Sequence, residues 1–256
     1  MKERVELKSA DEIAHVREAS LIVHAVLQEV IAAIAPGITT YEIDRIAERG
    51  TIARGAQPAF KGYHGFPASI CVSVNDEVVH GIPSRSRALE EGDIVGLDFG
   101  AVYAGYYGDS AYTVPVGRPT PSGARLIDAT REALVRAIAC ARPDGRLGDI
   151  GAAVQGFVET LGYSVVRDFV GHGIGRRLHE PPQVPNYGAP GTGMRLKPGM
   201  VLAIEPMVNE RSPDVRTLDD GWTAVTIDGG LSAHFEHTVA VTEAGPEILS
   251  LPPGCG

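Results

Sequence analysis

Apolar residues take up helical spacing almost as soon as the chain starts. Ile13, Val16, Ala19, Val23, Val26 and Leu27 recur on one face behind Ser9, an N-cap followed by Asp11 and Glu12 in the first turn. Ala35-Pro36-Gly37 ends this helix, and Thr39 or Thr40 caps a second one through Ile43 and Ile46. From Phe60 to Pro83 the pattern changes to short β-type runs, ASICVSV and EVV, broken by Asn75-Asp76. Strands are predicted around 93–98 and 103–115. Helical periodicity returns over 122–141 and 147–161, followed by strands near 164–170, 200–205, 223–227 and 236–242.

The second half thus repeats the order of the first, and the likeness extends to the residues. PGITTYEI from Pro36 echoes PDGRLGDI from Pro143, an offset of 143 − 36 = 107, and GDIVGLD from Gly92 echoes GMVLAIE from Gly199 at the same offset. Asp98 and Glu205 become equivalent positions. A duplicated half is the simplest account, with a pseudo-twofold axis near which acidic residues meet. It favours one domain of two interlocked halves over 1–256, and the period is too long for a solenoid.

Asp98 and Glu205 each end a nearly uninterrupted apolar run, in GDIVGLDFG and MVLAIEP. In a strand, neighbouring side chains leave on opposite faces, so each acid points away from the apolar residue before it. A buried carboxylate is unfavourable without a cation or several donors. Asp109 follows the turn-rich GYYG, as a hairpin returning beside Asp98 requires. Glu236 follows a Gly-Gly turn and opens the strand HTVAV, and His172 stands between glycines in VGHGIG. Taken singly, each of these acids is ordinarily a surface residue, a cap or a turn former. Jointly, four carboxylates and one imidazole make a ligand set for more than one divalent ion. Bridging carboxylates hold two ions roughly 3.5–4 Å apart in hydrolytic sites, and metal-assisted hydrolysis is the implied reaction. His15 and His24, on the first helix, are expected to be structural. His64, His234 and His237 lie near these segments without a defined task.

Composition narrows the function further. The 256 residues are 44% hydrophobic and 21% charged, enough apolar material for a sizeable core. A net charge of −9 argues against a broad phosphate-binding surface, so no nucleic-acid partner is expected. Three widely spaced cysteines, Cys71, Cys140 and Cys255, make no CxxC pair or disulfide framework and fit a reducing cytoplasm. MKERVELKSADEI carries charges where a signal peptide needs an apolar stretch, and no run approaches a membrane span. Other apparent motifs fail. HEPPQ lacks the second histidine of a zinc-binding HExxH, Asp98-Phe99-Gly100 has no kinase catalytic loop, and GHGIGRR has the wrong spacing for a dinucleotide fingerprint.

With its ligands in this order the sequence closely resembles the type I methionine aminopeptidases. The motifs that carry the resemblance are GYHGFPASICVSVNDEVVHGIP, GDIVGLDFG, GYYGDSAYT, GHGIGRRLHEPPQVPNY, LKPGMVLAIEPM, DGWTAVT and FEHTVAVT, and the preceding helices also fit. The resemblance implies the α+β pita-bread fold, a curved antiparallel sheet with helices on its convex face and internal pseudo-twofold symmetry. It implies a monomeric cytoplasmic enzyme that removes the initiator methionine from nascent polypeptides at the ribosome, preferring a small uncharged second residue. Asp98 would bind one metal, Asp109 and Glu236 would bridge two, and His172 and Glu205 would hold the second. The ions would be Co, Mn, Fe, Zn or Ni. His80 would contact the scissile amide nitrogen or the residue after methionine, His179 the substrate carbonyl, and Glu205 would shuttle the proton. The methionine pocket would comprise Phe60, Tyr63, Phe66, Cys71, His80 and Trp222, and a monovalent cation would sit near the backbone of Asn75, Glu77 and Ser232. Phe60 replaces a residue often small or polar in relatives, and Leu178 replaces an aromatic before His179.

Two other functions share parts of this pattern. A proline-directed peptidase of the same fold uses the same metal set, usually with an added N-terminal domain, whereas the first site motif here begins by residue 60. A binding protein retaining only the fold would be expected to have lost ligands, and all five are present.

Overall fold

The structure is a computed structural model that describes residues 5–254, so Cys255 lies outside the described residues. Helix α1 spans Ala10–Ala33, with the Ser9 hydroxyl accepting from the Glu12 N–H and the Glu12 carboxylate accepting from the Ser9 N–H. Helix α2, Thr40–Ala53, is closed by the same reciprocal box between Thr39 and Glu42, which makes Thr39 the cap. Thr120 caps α3, Pro121–Ala139, with proline in its first turn. Helix α4, Leu147–Thr160, starts where the Asp149 carboxylate accepts the Arg146 N–H at 2.7 Å.

The 107-residue offset persists in the structure. It carries both ends of α2 onto both ends of α4. It carries the isolated bridge Thr39–Ala88 onto Arg146–Arg195. The N–H of Gly37 donates to Leu89 O at 2.7 Å and, one offset later, that of Asp144 donates to Leu196 O at 3.2 Å. Two segments that make the same long-range contacts at the same spacing were built on one plan.

Among the described residues the main sheet has nine strands and is antiparallel throughout. Its order is Gln57–Pro58, Ile94–Tyr103, Tyr106–Pro115, Glu236–Thr242, Val201–Ile204, Gly171–Gly173 and Glu180–Val184. Cys71–Val74 pairs with Ile94–Tyr103, and Gly245–Ile248 with Glu236–Thr242. The long hairpin turns through Ala104 and Gly105, both at positive φ, closed by the pair Tyr103–Tyr106. The strand expected at 103–115 therefore starts three residues later, and the strand expected at 93–98 runs on to Tyr103. The strand expected at 164–170 is only Ser164–Val165, because its partner Met207–Asn209 pairs it through Val208 and Asn209 alone.

Pleating divides the sheet into a helix-facing side and a concave side. Val95, Leu97, Phe99 and Ala101 pack with Val23, Leu27 and Ile43 of α1 and α2, while Leu202, Ile204, Val239 and Val241 pack with Leu134, Ile150 and Val154 of α3 and α4. Each fully buried large apolar side chain contributes about 1.5–3 kcal/mol relative to exposure. These two layers fix the register, since a one-residue slip would drive Asp98 into the helices. Asp98 and Glu205 are thus placed on the concave side by the burial of Leu97, Phe99 and Ile204. No helix among the described residues is long and apolar enough to cross a membrane.

Candidate metal centre and substrate cavity

Sheet register draws the acidic residues together. Ala111 lies opposite Asp98 on one side and opposite Glu236 on the other, while Asp109, two residues earlier on the same face, lies opposite Gly100. Across the next two ladders, Thr238 pairs with Ala203 and Ala203 with His172. Ligand atoms of Asp109, His172 and Glu236 lie within 4.8 Å of one another. Glu205 joins them with Oε1 at 3.4 Å from His172 Nε2. Glycine is needed around them: a Cβ on Gly100 would fall 2.8 Å from Phe60 and 3.3 Å from Asp109 Oδ1, and one on Gly171 or Gly173 would overlap backbone carbonyls of Ala203 or Pro181. The glycines flanking His172 therefore permit close strand contact.

Burial and crowding make charge unfavourable in this cluster when no cation is bound. Burial raises the carboxyl pKa of Asp109, Glu205 and Glu236 well above the ordinary range, with neighbouring carboxylates adding to it for Asp109 and Glu236. Asp98 is pushed up to about 7, mainly by burial and further by Glu205, against the pull of His234. His172 is pushed down to about 3 by burial and is neutral. Its Nδ1–H donates to Gly173 O at 2.9 Å, which leaves the Nε2 lone pair aimed at the Glu205 carboxylate. Glu236 Oε1 is buried without a hydrogen-bond partner among the described residues. Carboxyl groups driven by burial to hold their protons, beside an imidazole lone pair and an unpartnered Glu236 oxygen, are the arrangement a divalent cation relieves by displacing those protons. The donor set fits one.

A cavity of about 430 Å³ opens over the cluster. All five expected ligands line it, together with Phe60, Tyr63, Phe66, Cys71, His80, His179 and Trp222. Phe66 and Trp222 meet edge to face with ring centroids 5.2 Å apart, and His80 stands edge-on to Trp222 at 6.3 Å. The His80 backbone is left-handed, φ +62°, a conformation tolerated in a non-glycine residue where the surroundings hold it. Burial lowers its pKa to about 4, with His234 and His179 adding to the effect. Burial, then His64, lowers that of His179. The Tyr63 hydroxyl lies 2.8 Å from His179 Nδ1, and burial keeps that phenol protonated. When Tyr63 donates in this pair, the ring proton of His179 is on Nε2, where a substrate oxygen can accept it. Cys71 is held as the thiol, its pKa raised well above normal by burial and then by Asp98 and Asp109.

Three further residues belong to this region. His64 and Leu178 line the cavity. His234 is buried, its Nε2 lacks a partner among the described residues, and that atom lies 3.6 Å from Glu205 Oε2. Spacing was the available signal for His234, since a residue two before Glu236 shares its face of an extended chain. His237 points elsewhere, with Nδ1 2.9 Å from the Ser250 hydroxyl. His15 stacks on Tyr106 at 5.1 Å, a structural role like the one expected of it.

The fold and site together define a metal-dependent hydrolase of the pita-bread type, and sequence comparison agrees. Residues 14–243 match the model of metallopeptidase family M24. The chain is 54% identical over 243 residues to methionine aminopeptidase 1 of Bacillus subtilis, covering 95% of this chain and 98% of that one. It is 44% identical to the methionine aminopeptidase of Escherichia coli, covering 96% and 94%. The crystal structure of a methionine aminopeptidase from Thermotoga maritima superposes with a TM-score of 0.96 at 48% identity, covering 97% of this chain and all of that one. A prolidase from Pyrococcus furiosus shares the fold at a TM-score of 0.78 and 26% identity, with 65% of its length covered. The chain belongs to metallopeptidase family M24.

Proposed function

We propose that this chain is a methionine aminopeptidase, hydrolysing the bond after an N-terminal methionine when the second residue is small and uncharged. One observation carries the reading. The five ligand groups, two neutral histidines and an apolar slot bounded by Phe60, Phe66, Cys71 and Trp222 open onto one cavity of about 430 Å³, room for the N-terminal end of a peptide with its flexible side chain. Close identity to methionine aminopeptidases along nearly the whole chain supports it.

Asp98, Asp109, His172, Glu205 and Glu236 would hold two divalent ions, drawn from Co, Mn, Fe, Zn and Ni. When bound, such ions supply a nucleophilic water at neutral pH and polarise the scissile carbonyl. The protein's side chains do the rest. The methionine thioether packs in this slot against Phe60 and the Phe66–Trp222 pair. His179 Nε2–H donates to the substrate carbonyl oxygen and follows it as negative charge develops. His80 bonds the scissile amide nitrogen and orients the leaving group. Glu205, placed beside both the ions and the scissile bond, passes a proton towards the departing amine. Both halves contribute ligands, so the chain acts as one catalytic unit. A monomer working in the cytoplasm on nascent N-termini at the ribosome fits this chemistry. A monovalent cation near Asn75, Glu77 and Ser232 would brace the loops behind the site, where the Ser232 N–H donates to Asn75 O at 2.8 Å.

The assay is cleavage of Met-Ala-Ser, Leu-Ala-Ser and Gly-Pro by the metal-loaded chain. Release of methionine from the first peptide alone is expected. Equal cleavage of the first two removes the methionine reading, and cleavage of Gly-Pro alone substitutes the proline-directed one.

A further inference from the structure

We propose that Lys8 is a positioning residue for His179, acting through a buried ion pair with Glu180, so that the segment before α1 is a working part of the site. The inference rests on the reading of His179 as the carbonyl-binding histidine. Lys8 Nζ lies 2.5 Å from Glu180 Oε2, and the two side chains are only 3% and 4% exposed. The second carboxylate oxygen, Oε1, accepts the Arg177 N–H at 3.1 Å. Glu180 therefore closes the turn Arg177–Glu180 upon itself and ties it to Lys8. Leu178 and His179, which both line the cavity, are the residues inside that turn.

The surrounding chain is shaped to admit the lysine. The Lys8 N–H donates to Gly199 O at 2.7 Å, and a Cβ on Gly199, where φ is +91°, would fall 2.9 Å from Lys8 O. A Cβ on Gly175 would overlap the Lys8 side chain at Cε. Glycines in GHGIG and in LKPGM thus leave a channel for one residue from the other end of the sequence. Glu180 itself pairs with Gly173, next to His172, and the His172 and His179 rings are 4.2 Å apart. An error in the turn moves His179 relative to the metal ligands.

An ammonium buried against Glu180, with the exposed Glu6 carboxylate at 3.7 Å, is a poor way to gain stability, because replacing a buried ion pair by apolar residues of similar volume is often neutral or stabilising. What the ion pair adds is direction, since two fixed oxygens permit one orientation of the turn. Misplacing a catalytic group by about 1 Å can slow a reaction up to a hundredfold.

The test compares full-length, metal-loaded Lys8→Met, Lys8→Met/Glu180→Met, His179→Ala and Lys8→Met/His179→Ala on Met-Ala-Ser, below each variant's melting temperature. For Lys8→Met, kcat is expected to fall about tenfold with KM within about twofold and bound metal unchanged. The apolar pair should recover the melting temperature without recovering kcat, and it carries the test if Lys8→Met does not fold. On the His179→Ala background, Lys8→Met should cause no further loss. The inference is overturned if folded Lys8→Met keeps wild-type kcat, if the apolar pair restores kcat along with stability, or if the losses from Lys8 and His179 multiply. Wild-type kcat in His179→Ala would remove the reading of His179 itself, a failure distinct from these.

Discussion

Substituting Asp98 by asparagine is expected to change stability in opposite directions with and without metal. In the metal-free protein the Asp98 carboxyl is raised from 3.8 to about 7 by burial and by Glu205. A carboxyl whose pKa is higher folded than unfolded favours the folded state fully below pH 3.8. That advantage is lost as pH rises through 7. At about 1.4 kcal/mol per unit, the shift is worth about 4 kcal/mol above pH 7, an upper limit because Asp98 faces a water-accessible cavity. Asparagine keeps the shape and carries no charge. In metal-free protein Asp98→Asn should therefore match wild type near pH 4 and melt several degrees higher at pH 8, at about 2–4 °C per kcal/mol for a chain of this size. With saturating divalent ion the sign reverses, because wild type gains binding free energy that the variant loses. Thermal melts at both pH values, with chelator and with metal, measure all four cases. A variant less stable than wild type at pH 8 without metal would refute the claim that burial, aided by Glu205, penalises the Asp98 carboxylate in the metal-free site. So would an equal gain at pH 4 and pH 8.

Asp109→Ala should lose both bound metal and turnover, followed by elemental analysis and peptide cleavage, since ligand atoms of Asp109, His172 and Glu236 converge within 4.8 Å. His179→Ala should keep its metal and slow hydrolysis by about 10²–10³, the scale of losing an oxyanion donor. Loss of metal from that variant would merge the two roles separated above. Tyr112→Phe should be as stable as wild type or more so by about 1 kcal/mol in denaturant melts, because the hydroxyl is buried without a partner among the described residues. Burial holds that phenol at about 12, so stability that wild type loses between pH 10 and 12 should be retained by the variant.

Much of this site was legible in the sequence because its signals are local. Apolar runs ending in Asp98 and Glu205 encode a strand with one buried face, and the structure buries Leu97 and Ile204 as that pattern requires. Shared spacing between Pro36 and Pro143 foretold that α2 and α4 would be counterparts. The strand 236–242 has the bounds expected of it, since Gly-Gly precedes it and its apolar residues alternate. What stayed hidden depends on chain segments meeting from a distance. Gly171–Gly173 and Glu180–Val184 are too short, and too rich in glycine and proline, to read as strands, and they exist by pairing with each other and, for Gly171–Gly173, with Val201–Ile204. Ser164–Val165 looked longer because its apolar residues continue past the end of its partner strand. Lys8 gave no signal at all. Its meaning depends on Glu180, 172 residues away, and on two glycines that no helical or strand period relates to it.

The central claim is that the concave face of the sheet holds a divalent metal centre which acts on N-terminal methionine. The most direct measurement strips the protein of metal, then titrates Mn or Fe back anaerobically while bound metal and Met-Ala-Ser cleavage are followed together. Activity should be absent in the stripped protein and rise with occupancy, with binding complete at two ions per chain and Leu-Ala-Ser left intact throughout. Full cleavage by the stripped protein, or stoichiometric metal uptake with no cleavage of the methionine peptide, would contradict it.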